Sequence, residues 1–176
     1  MEAGEIITFS GAEYVVTRHL YKSWGSDNQT LSEKPKGKID HRKSYYVVMR
    51  KASTFWVKEW VESAILDEEY KRMSGVQGVC HEEQGVNVRA VKVYDYEDGR
   101  ILMENLLSYV PLSKLQLGAG AASSIKRAVR GWVKKSGLEG SYDLHPNNVM
   151  VSNGKLVVLV DFEMATGRDR LEEMDA

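Results

Sequence analysis

The stretch GSYDLHPNNVMVSNGKLVVLVDFEMA, residues 140–165, decides how the rest of the chain is interpreted. It contains a polar segment, DLHPNN, and two apolar runs, VMV and LVVLV, that are separated by the pair Asn153-Gly154. Asn-Gly between two such runs is typical of a tight β-hairpin. The stretch therefore predicts a rigid hairpin that begins beside Asn148 and ends beside Asp161.

Oxygen-bearing side chains stand at both ends of this predicted hairpin. The amide of Asn148 and the carboxylate of Asp161 are ligands that suit a hard cation such as Mg²⁺, which binds few protein groups together with phosphate oxygens. A second carboxylate, Asp143, precedes Asn148 by five residues and is left to orient a nucleophilic hydroxyl. Because phosphoryl transfer needs mainly positioning and charge neutralisation, the pattern favours that reaction.

The same residues resemble the catalytic loop and metal-binding motif of the protein-kinase-like superfamily, in which Asp, then Asn five residues later, then Asp-Phe after a hairpin recur. The resemblance implies ATP and Mg²⁺ as cofactors, Asp143 and Asn148 as catalytic residues, and Asn148 and Asp161 as metal ligands. The tripeptide LHP after Asp143 is more similar to aminoglycoside and choline phosphotransferases than to eukaryotic kinases. The turn SNG, residues 152–154, resembles the small early host-takeover protein kinases of short-tailed bacteriophages.

The resemblance also assigns nucleotide contacts upstream. Lys58, in FWVKEW, would take a catalytic role by contacting the phosphates, and Glu69 on the next helix would pair with it. Met103 would stand at the gatekeeper position, and the backbone of Glu104 to Leu106 would meet the adenine edge. Lys51, which ends the preceding strand, is a competitor for the phosphate contact.

Hydrophobic periodicity along the chain predicts an α+β layout. Strands are expected over residues 6–9, 13–17, 44–50, 54–60, 88–96, 100–106, 149–151 and 156–160, and helices over 61–73 and 123–135. The resemblance implies a minimal protein-kinase-like fold. Residues 1–106 would form an antiparallel N-terminal sheet with one helix, and residues 107–176 a truncated C-terminal lobe that carries the catalytic loop and metal-binding motif.

Four features depart from the family pattern. Ser141-Tyr142-Asp143 replaces the His-Arg-Asp or His-Gly-Asp triplet, although the aspartate is kept. Glu163 replaces the glycine of Asp-Phe-Gly, as in small-molecule kinases of this superfamily. No glycine-rich loop precedes Lys58, so the polar loop of residues 25–43 is a candidate to cover the nucleotide. The chain stops fifteen residues after Asp161, so the large helices of a C-terminal lobe are expected to be absent. A peptide-binding platform would then be missing or come from elsewhere, for instance from a second subunit in a homodimer.

Composition limits the class of binding partner and the cellular compartment that we expect. Twenty-four basic residues against 25 acidic ones argue against a dedicated nucleic-acid or membrane-surface binder. A single cysteine, Cys80, predicts a reducing cytoplasm and an inert, buried thiol, and the location would be the host-cell cytoplasm if the chain is phage-encoded. His145 is expected to support the loop through hydrogen bonds, whereas the three other histidines are expected to be solvated: His19, His41 and His81.

These observations favour a Ser/Thr protein kinase that acts on itself or on a host protein. One alternative is a catalytically weak, kinase-shaped binding module that inhibits a host protein; the truncated lobe favours it and the intact Asp/Asn/Asp set opposes it. The other alternative is a small-molecule kinase of the aminoglycoside or choline type, which the tripeptides LHP and DFE favour. No span for a membrane is predicted.

Overall fold

The computed structural model describes residues 1–24, 29–33, 38–39, 42–163 and 168–175. Within these residues the chain is an α+β protein with two sheets and two α helices. The chain divides into two compact units, Met1–Tyr70 with Lys92–Asn105, and Lys71–Val91 with Leu106–Ala176. Neither described helix is long and apolar enough to cross a bilayer.

The described residues form thirteen strands. In chain order they are β1 Ile6–Phe9, β2 Ala12–Trp24, β3 Gln29–Ser32, β4 Lys38–Ile39, β5 Lys43–Arg50, β6 Ser53–Trp60, β7 Cys80–Glu83, β8 Val86–Ala90, β9 Val93–Glu97, β10 Arg100–Glu104, β11 Val110–Pro111, β12 Val149–Ser152 and β13 Leu156–Leu159. The helices are α1 Ser63–Gly75 and α2 Ala119–Lys135, and short 3₁₀ turns cover Leu112–Lys114, Pro146–Asn148 and Leu171–Asp175.

The first unit is built on a curled antiparallel sheet with the strand order β1-β2-β5-β6-β10-β9. The far part of β2 also pairs with β3 and β4. Its apolar side chains form one buried cluster, of which Phe9, Tyr14 and Val48 are members. The curl brings the turn after β1 to the opposite edge, where Ser10 Oγ donates to Asp95 Oδ2 of β9 at 2.6 Å.

Turn chemistry fixes two of the predicted hairpins. Asp98 and Gly99, between β9 and β10, have φ of 53° and 72°, and Asn153 and Gly154, between β12 and β13, have φ of 55° and 66°. The β9–β10 turn has two residues between the paired Glu97 and Arg100, and the β12–β13 turn has three between Ser152 and Leu156. Both use left-handed backbone at two successive positions, which Asn, Asp and Gly adopt most readily. Both predicted hairpins are therefore confirmed.

The second unit is built on a mixed sheet with the order β11-β12-β13-β8-β7, in which β13 and β8 are parallel. Helix α2 packs against β7 and β8 through a buried apolar face that includes Ile125, Val129 and Trp132. The approach is close, since a Cβ on Gly131 would lie 2.4 Å from His81 Nε2. Trp132 Nε1 donates to the carbonyl of Val79 at 2.8 Å, which holds the helix to the start of β7.

The predicted strand over residues 88–96 is wrong in its extent. The run is two strands in different sheets, β8 and β9, which belong to different units. The break lies at Val91 and Lys92, where the Val91 N–H donates to the carbonyl of Leu159 at 2.9 Å. Strand-forming residues continue on both sides of this break, although the alternation is interrupted by the adjacent apolar residues Ala90 and Val91.

The predictions on three single side chains, Cys80, His19 and His81, are also wrong. Cys80 is exposed rather than buried. His19 stacks on Tyr46 with ring centroids 4.8 Å apart, and burial lowers its pKa from the ordinary value, helped by the nearby N-terminal amine. His81 is also partly buried and contacts Glu83. His41 lies outside the described residues, as does much of the predicted loop 25–43.

Candidate active site

The catalytic-loop candidate is a short 3₁₀ turn, Pro146–Asn148, that is capped by His145. The Nδ1 atom of His145 accepts a hydrogen bond from the Asn147 N–H at 3.0 Å, and proline occupies the first position of the turn. A nitrogen that accepts this bond must be unprotonated. Burial, followed by the charge of Arg170, accordingly lowers the pKa of His145. The predicted supporting role of His145 is confirmed.

Asn148 connects the loop to the hairpin. Its side chain is 8% exposed, and Nδ2 donates to the backbone carbonyl of Asp143 at 3.0 Å. Its N–H donates to the carbonyl of His145 at 2.9 Å, and its carbonyl accepts from the N–H of Val160 at 3.0 Å. With Nδ2 held by Asp143, the amide oxygen has a fixed direction on the other side of the group.

Asp161 directly follows Val160 and leaves the hairpin in a left-handed conformation with φ of 64°. Aspartate tolerates this region better than most residues, yet a non-glycine residue there is uncommon. The next residue, Phe162, is fully buried and packs against Trp132 and Tyr142, with ring centroids 6.2 and 5.0 Å away. The buried ring therefore fixes the backbone that carries Asp161.

Asp143 has a partner that the sequence did not reveal. Arg170 Nη2 donates to both carboxylate oxygens of Asp143, at 2.9 Å to Oδ1 and 3.0 Å to Oδ2, and Nε lies 3.3 Å from Oδ1. The side chain of Arg170 is 32% exposed and that of Asp143 is 28% exposed. This paired geometry is the strongest form of an arginine–carboxylate contact.

The segment that carries Arg170 is attached to the same unit at several points. The Arg170 N–H donates to the carbonyl of Leu144 at 2.8 Å, next to an isolated parallel bridge between Leu144 and Asp169. Leu171 is fully buried. On the outer side, Arg130 of α2 contacts Asp169 at 2.7 Å, and the hydrogen bond from Arg130 helps to lower the pKa of Asp169 although burial opposes this.

In the first unit, the predicted pair of Lys58 and Glu69 is present. Lys58 Nζ lies 2.7 Å from Oε1 and 2.9 Å from Oε2 of Glu69, and the two side chains are 3% and 2% exposed. Lys58 Nζ also lies 5.7 Å from the ring centroids of Tyr45 and Trp60. The competitor Lys51 is exposed and has φ of 57° in the turn between β5 and β6. The pairing with Glu69 therefore favours Lys58 over Lys51 for the phosphate contact, which stays a prediction.

The gatekeeper candidate Met103 and the segment Glu104 to Leu106, which was assigned to the adenine edge, lie at the end of β10 and directly after it. Met103 is buried in this strand, and the Glu104 N–H donates to the carbonyl of Lys92 at 2.9 Å. Glu104 Oε1 accepts from the N–H of Lys92 at 3.1 Å. Leu106 is fully buried and belongs to the second unit. Their contact with a nucleotide stays a prediction.

The predicted site residues therefore fall into two sets. Lys58, Glu69, Met103 and Glu104 lie in the first unit, whereas Asp143, Asn148, Asp161 and Leu106 lie in the second. No protein-family model matches the chain, and no curated protein matches it either. The function therefore has to be argued from the side chains themselves.

Proposed function

We propose that the protein is an ATP- and Mg²⁺-dependent phosphotransferase that transfers the γ-phosphoryl group to a Ser or Thr hydroxyl, on itself or on a host protein. The observation that carries the proposal is the bonding of Asn148. Its side chain holds the backbone of Asp143, and its own backbone holds Val160, the residue before Asp161. A buried amide thus connects the two backbone segments that carry Asp143 and Asp161, in the residue order of the kinase-like motif.

The reaction assigns one task to Asp143. The acceptor oxygen attacks the γ-phosphorus, and the bond between this phosphorus and the oxygen bridging it to ADP breaks. The acceptor loses its proton, which Asp143 accepts or directs towards the transferred group. Asp143 is partly exposed, so a hydroxyl from outside the protein can approach its carboxylate.

The donor set at the end of the hairpin fits Mg²⁺. The Asn148 amide oxygen and the Asp161 carboxylate are hard oxygen ligands, and the bond from Asn148 Nδ2 to Asp143 fixes which end of the amide is presented. Bound there, Mg²⁺ would neutralise charge on the phosphates. Phe162, buried beside Tyr142, and the left-handed backbone of Asp161 hold this carboxylate in place. Strained backbone of this kind is concentrated at functional sites.

The first unit supports nucleotide binding through Lys58. A lysine that is 3% exposed is costly to bury unless a charge of opposite sign accompanies it, and Glu69 meets that need. The pair directs the ammonium group, which then needs little reorganisation to meet a phosphate. Because the Glu104 N–H is already bonded to Lys92, an adenine contact at Glu104 would use its carbonyl.

Label transfer from γ-labelled ATP tests the proposal. With Mg²⁺, wild type should label itself or a Ser/Thr acceptor in a host lysate. Asp143→Asn should bind Mg-ATP about as well but transfer label roughly 10²-fold or more slowly, the scale expected for loss of a general base. Asp98→Asn is the matched control, since it makes the same change at an exposed turn position that suits asparagine.

The outcomes separate the alternatives. Equal transfer by wild type and Asp143→Asn would show that Asp143 is not the catalytic aspartate. Label that appears only on an aminoglycoside or on choline would move the acceptor class to small molecules. If wild type labels nothing, and Mg-ATP does not raise its melting temperature, the phosphotransferase proposal fails and a binding module becomes the better description.

A further inference from the structure

We propose that Arg170 is a positioning residue for the phosphoryl transfer: it holds the Asp143 carboxylate in the orientation in which one oxygen meets the acceptor hydroxyl. The inference rests on the proposed function and adds a residue that the motif does not contain. It starts from three hydrogen-bond contacts between one guanidinium group and one carboxylate. Such a planar fork allows few orientations of the carboxylate plane.

The geometry leaves room for an acceptor. A carboxylate offers about four lone-pair directions, two on each oxygen. Arg170 uses two on Oδ1 and one on Oδ2, and among the described residues no further donor bonds to this carboxylate. One direction on Oδ2 therefore remains for a hydroxyl. Because more than a quarter of the Asp143 side chain is exposed, that direction can be reached from outside.

The contact is built into the second unit. The N–H of Arg170 bonds to Leu144, the residue next to Asp143, so guanidinium and carboxylate are carried by two backbone segments that are themselves bonded. Leu171 is fully buried directly after Arg170. Because the backbone of Arg170 is bonded and the next residue is buried, the Arg170 side chain loses little additional freedom when it binds the carboxylate.

Helix α2 gives this segment its outer support. Arg130 binds Asp169 at 2.7 Å and Glu172 at 3.0 Å, and Lys126 binds Glu172 at 2.9 Å. Lys126 is 14% exposed, but its partner Glu172 and the other members of these pairs are 40–71% exposed, so each pair alone contributes little to stability. Together they fix the two residues that flank the Arg170–Leu171 pair. These contacts hold the segment that carries Arg170 against helix α2, and Arg170 in turn holds Asp143.

The experiment compares Arg170→Gln and Arg170→Lys with wild type, and uses Arg168→Gln as a matched control at an exposed arginine on the same segment. Arg170→Gln should lower kcat about 10- to 100-fold, the cost of a misplaced reacting group, while Mg-ATP affinity stays unchanged. Arg170→Lys should recover part of kcat, because it restores charge without the fork. Arg168→Gln should behave as wild type. Melting curves on each variant show whether it is folded.

A double-mutant cycle with Asp143→Asn distinguishes a positioning role from the others. If Arg170 acts only through Asp143, Arg170→Gln should cost nothing further in the Asp143→Asn background. Multiplying losses would overturn the inference and make Arg170 an independent phosphate or fold contact. A higher kcat in Arg170→Gln would overturn it in favour of an inhibitory arginine. An active wild type with an unaffected Arg170→Gln refutes the inference alone, whereas an inactive wild type refutes the proposed function and this inference with it.

Discussion

Two ion pairs, Lys58–Glu69 in the first unit and Asp143–Arg170 in the second, differ sharply in their exposure to water. Lys58 and Glu69 in the first unit are 3% and 2% exposed. Arg170 and Asp143 in the second unit are 32% and 28% exposed. The shortest N–O distance is 2.7 Å in the first pair and 2.9 Å in the second, so distance alone does not separate them.

Burial decides what each pair does for the fold. Removing one member of a buried pair leaves an uncompensated charge in a poorly solvated place, whereas water can replace a lost partner at a half-exposed site. The Lys58–Glu69 pair is therefore tied to the stability of the first unit. Changing the Asp143–Arg170 pair should cost little stability. Its orientation can therefore serve the proposed reaction rather than the fold.

The largest expected effect is at the buried pair. Lys58→Met should lower the free energy of unfolding by about 3–5 kcal/mol, because Glu69 is left buried without its lysine. Denaturant titration followed by circular dichroism measures it. Lys51→Met is the control, since Lys51 is exposed, and should stay within about 0.5 kcal/mol of wild type.

An equal loss at both lysines would break the comparison, since burial would then not distinguish them. If both variants fold, label transfer should fall far more in Lys58→Met than in Lys51→Met. A larger loss of transfer at Lys51 would move the phosphate contact to the turn and would remove the reason to connect Glu69 with the nucleotide.

The partly exposed Asp143–Arg170 pair should matter more for activity than for stability. Arg170→Gln should change the free energy of unfolding by no more than about 1 kcal/mol, the upper range for solvent-exposed ion pairs. The same denaturant titration applies. A loss as large as that of Lys58→Met would mean that Arg170 supports the fold, and the kinetic effect of Arg170→Gln would then have a structural cause.

The smallest effect concerns pH and one histidine in each unit. Burial lowers the pKa of both His19 and His145 in the folded state. The unfolded chain therefore takes up protons first, and stability that is complete above the ordinary value of about 6.5 is lost as pH falls through the lowered values. His19→Asn and His145→Asn should each flatten this acid-side decline in melting temperature. An unchanged slope in both variants would contradict the burial of these rings.

Local rules predicted the parts of the fold in which neighbouring residues decide the structure. The Asp98-Gly99 and Asn153-Gly154 turns follow from the left-handed preference of their residues. The turn at Gln84-Gly85, between β7 and β8, has the same backbone, with φ of 53° and 78°, but glutamine gives no such signal and the hairpin was not predicted. Helix α2 begins at Ala119 rather than at residue 123, because the alternation of glycine and alanine gave no hydrophobic period.

The residues of the candidate site also divide into those that local sequence patterns predicted and one that they did not. Asp143, Asn148 and Asp161 were found because their spacing is local. The Lys58–Glu69 pair spans only a strand and one helix, and the resemblance indicated it. Arg170 lies 27 residues from Asp143, and its only sequence signal is a basic residue in an acidic segment. Arg168 carries the same signal, so charge pattern could not have selected between them.

The division of the chain between its units has a consequence for how the protein emerges from a ribosome. The chain passes from one unit to the other at residues 70/71, 91/92 and 105/106. The curled sheet lacks β9 and β10 until residue 104 has been made, and by then the residues of β7 and β8 have already been synthesised. Strand β8 must wait for β13, its parallel partner, which is synthesised more than fifty residues after β10. Until then β8 lacks its parallel partner, and an unpaired strand edge is prone to pair with other chains, so we expect completion of β13, the last of the described strands, to reduce aggregation of the nascent chain.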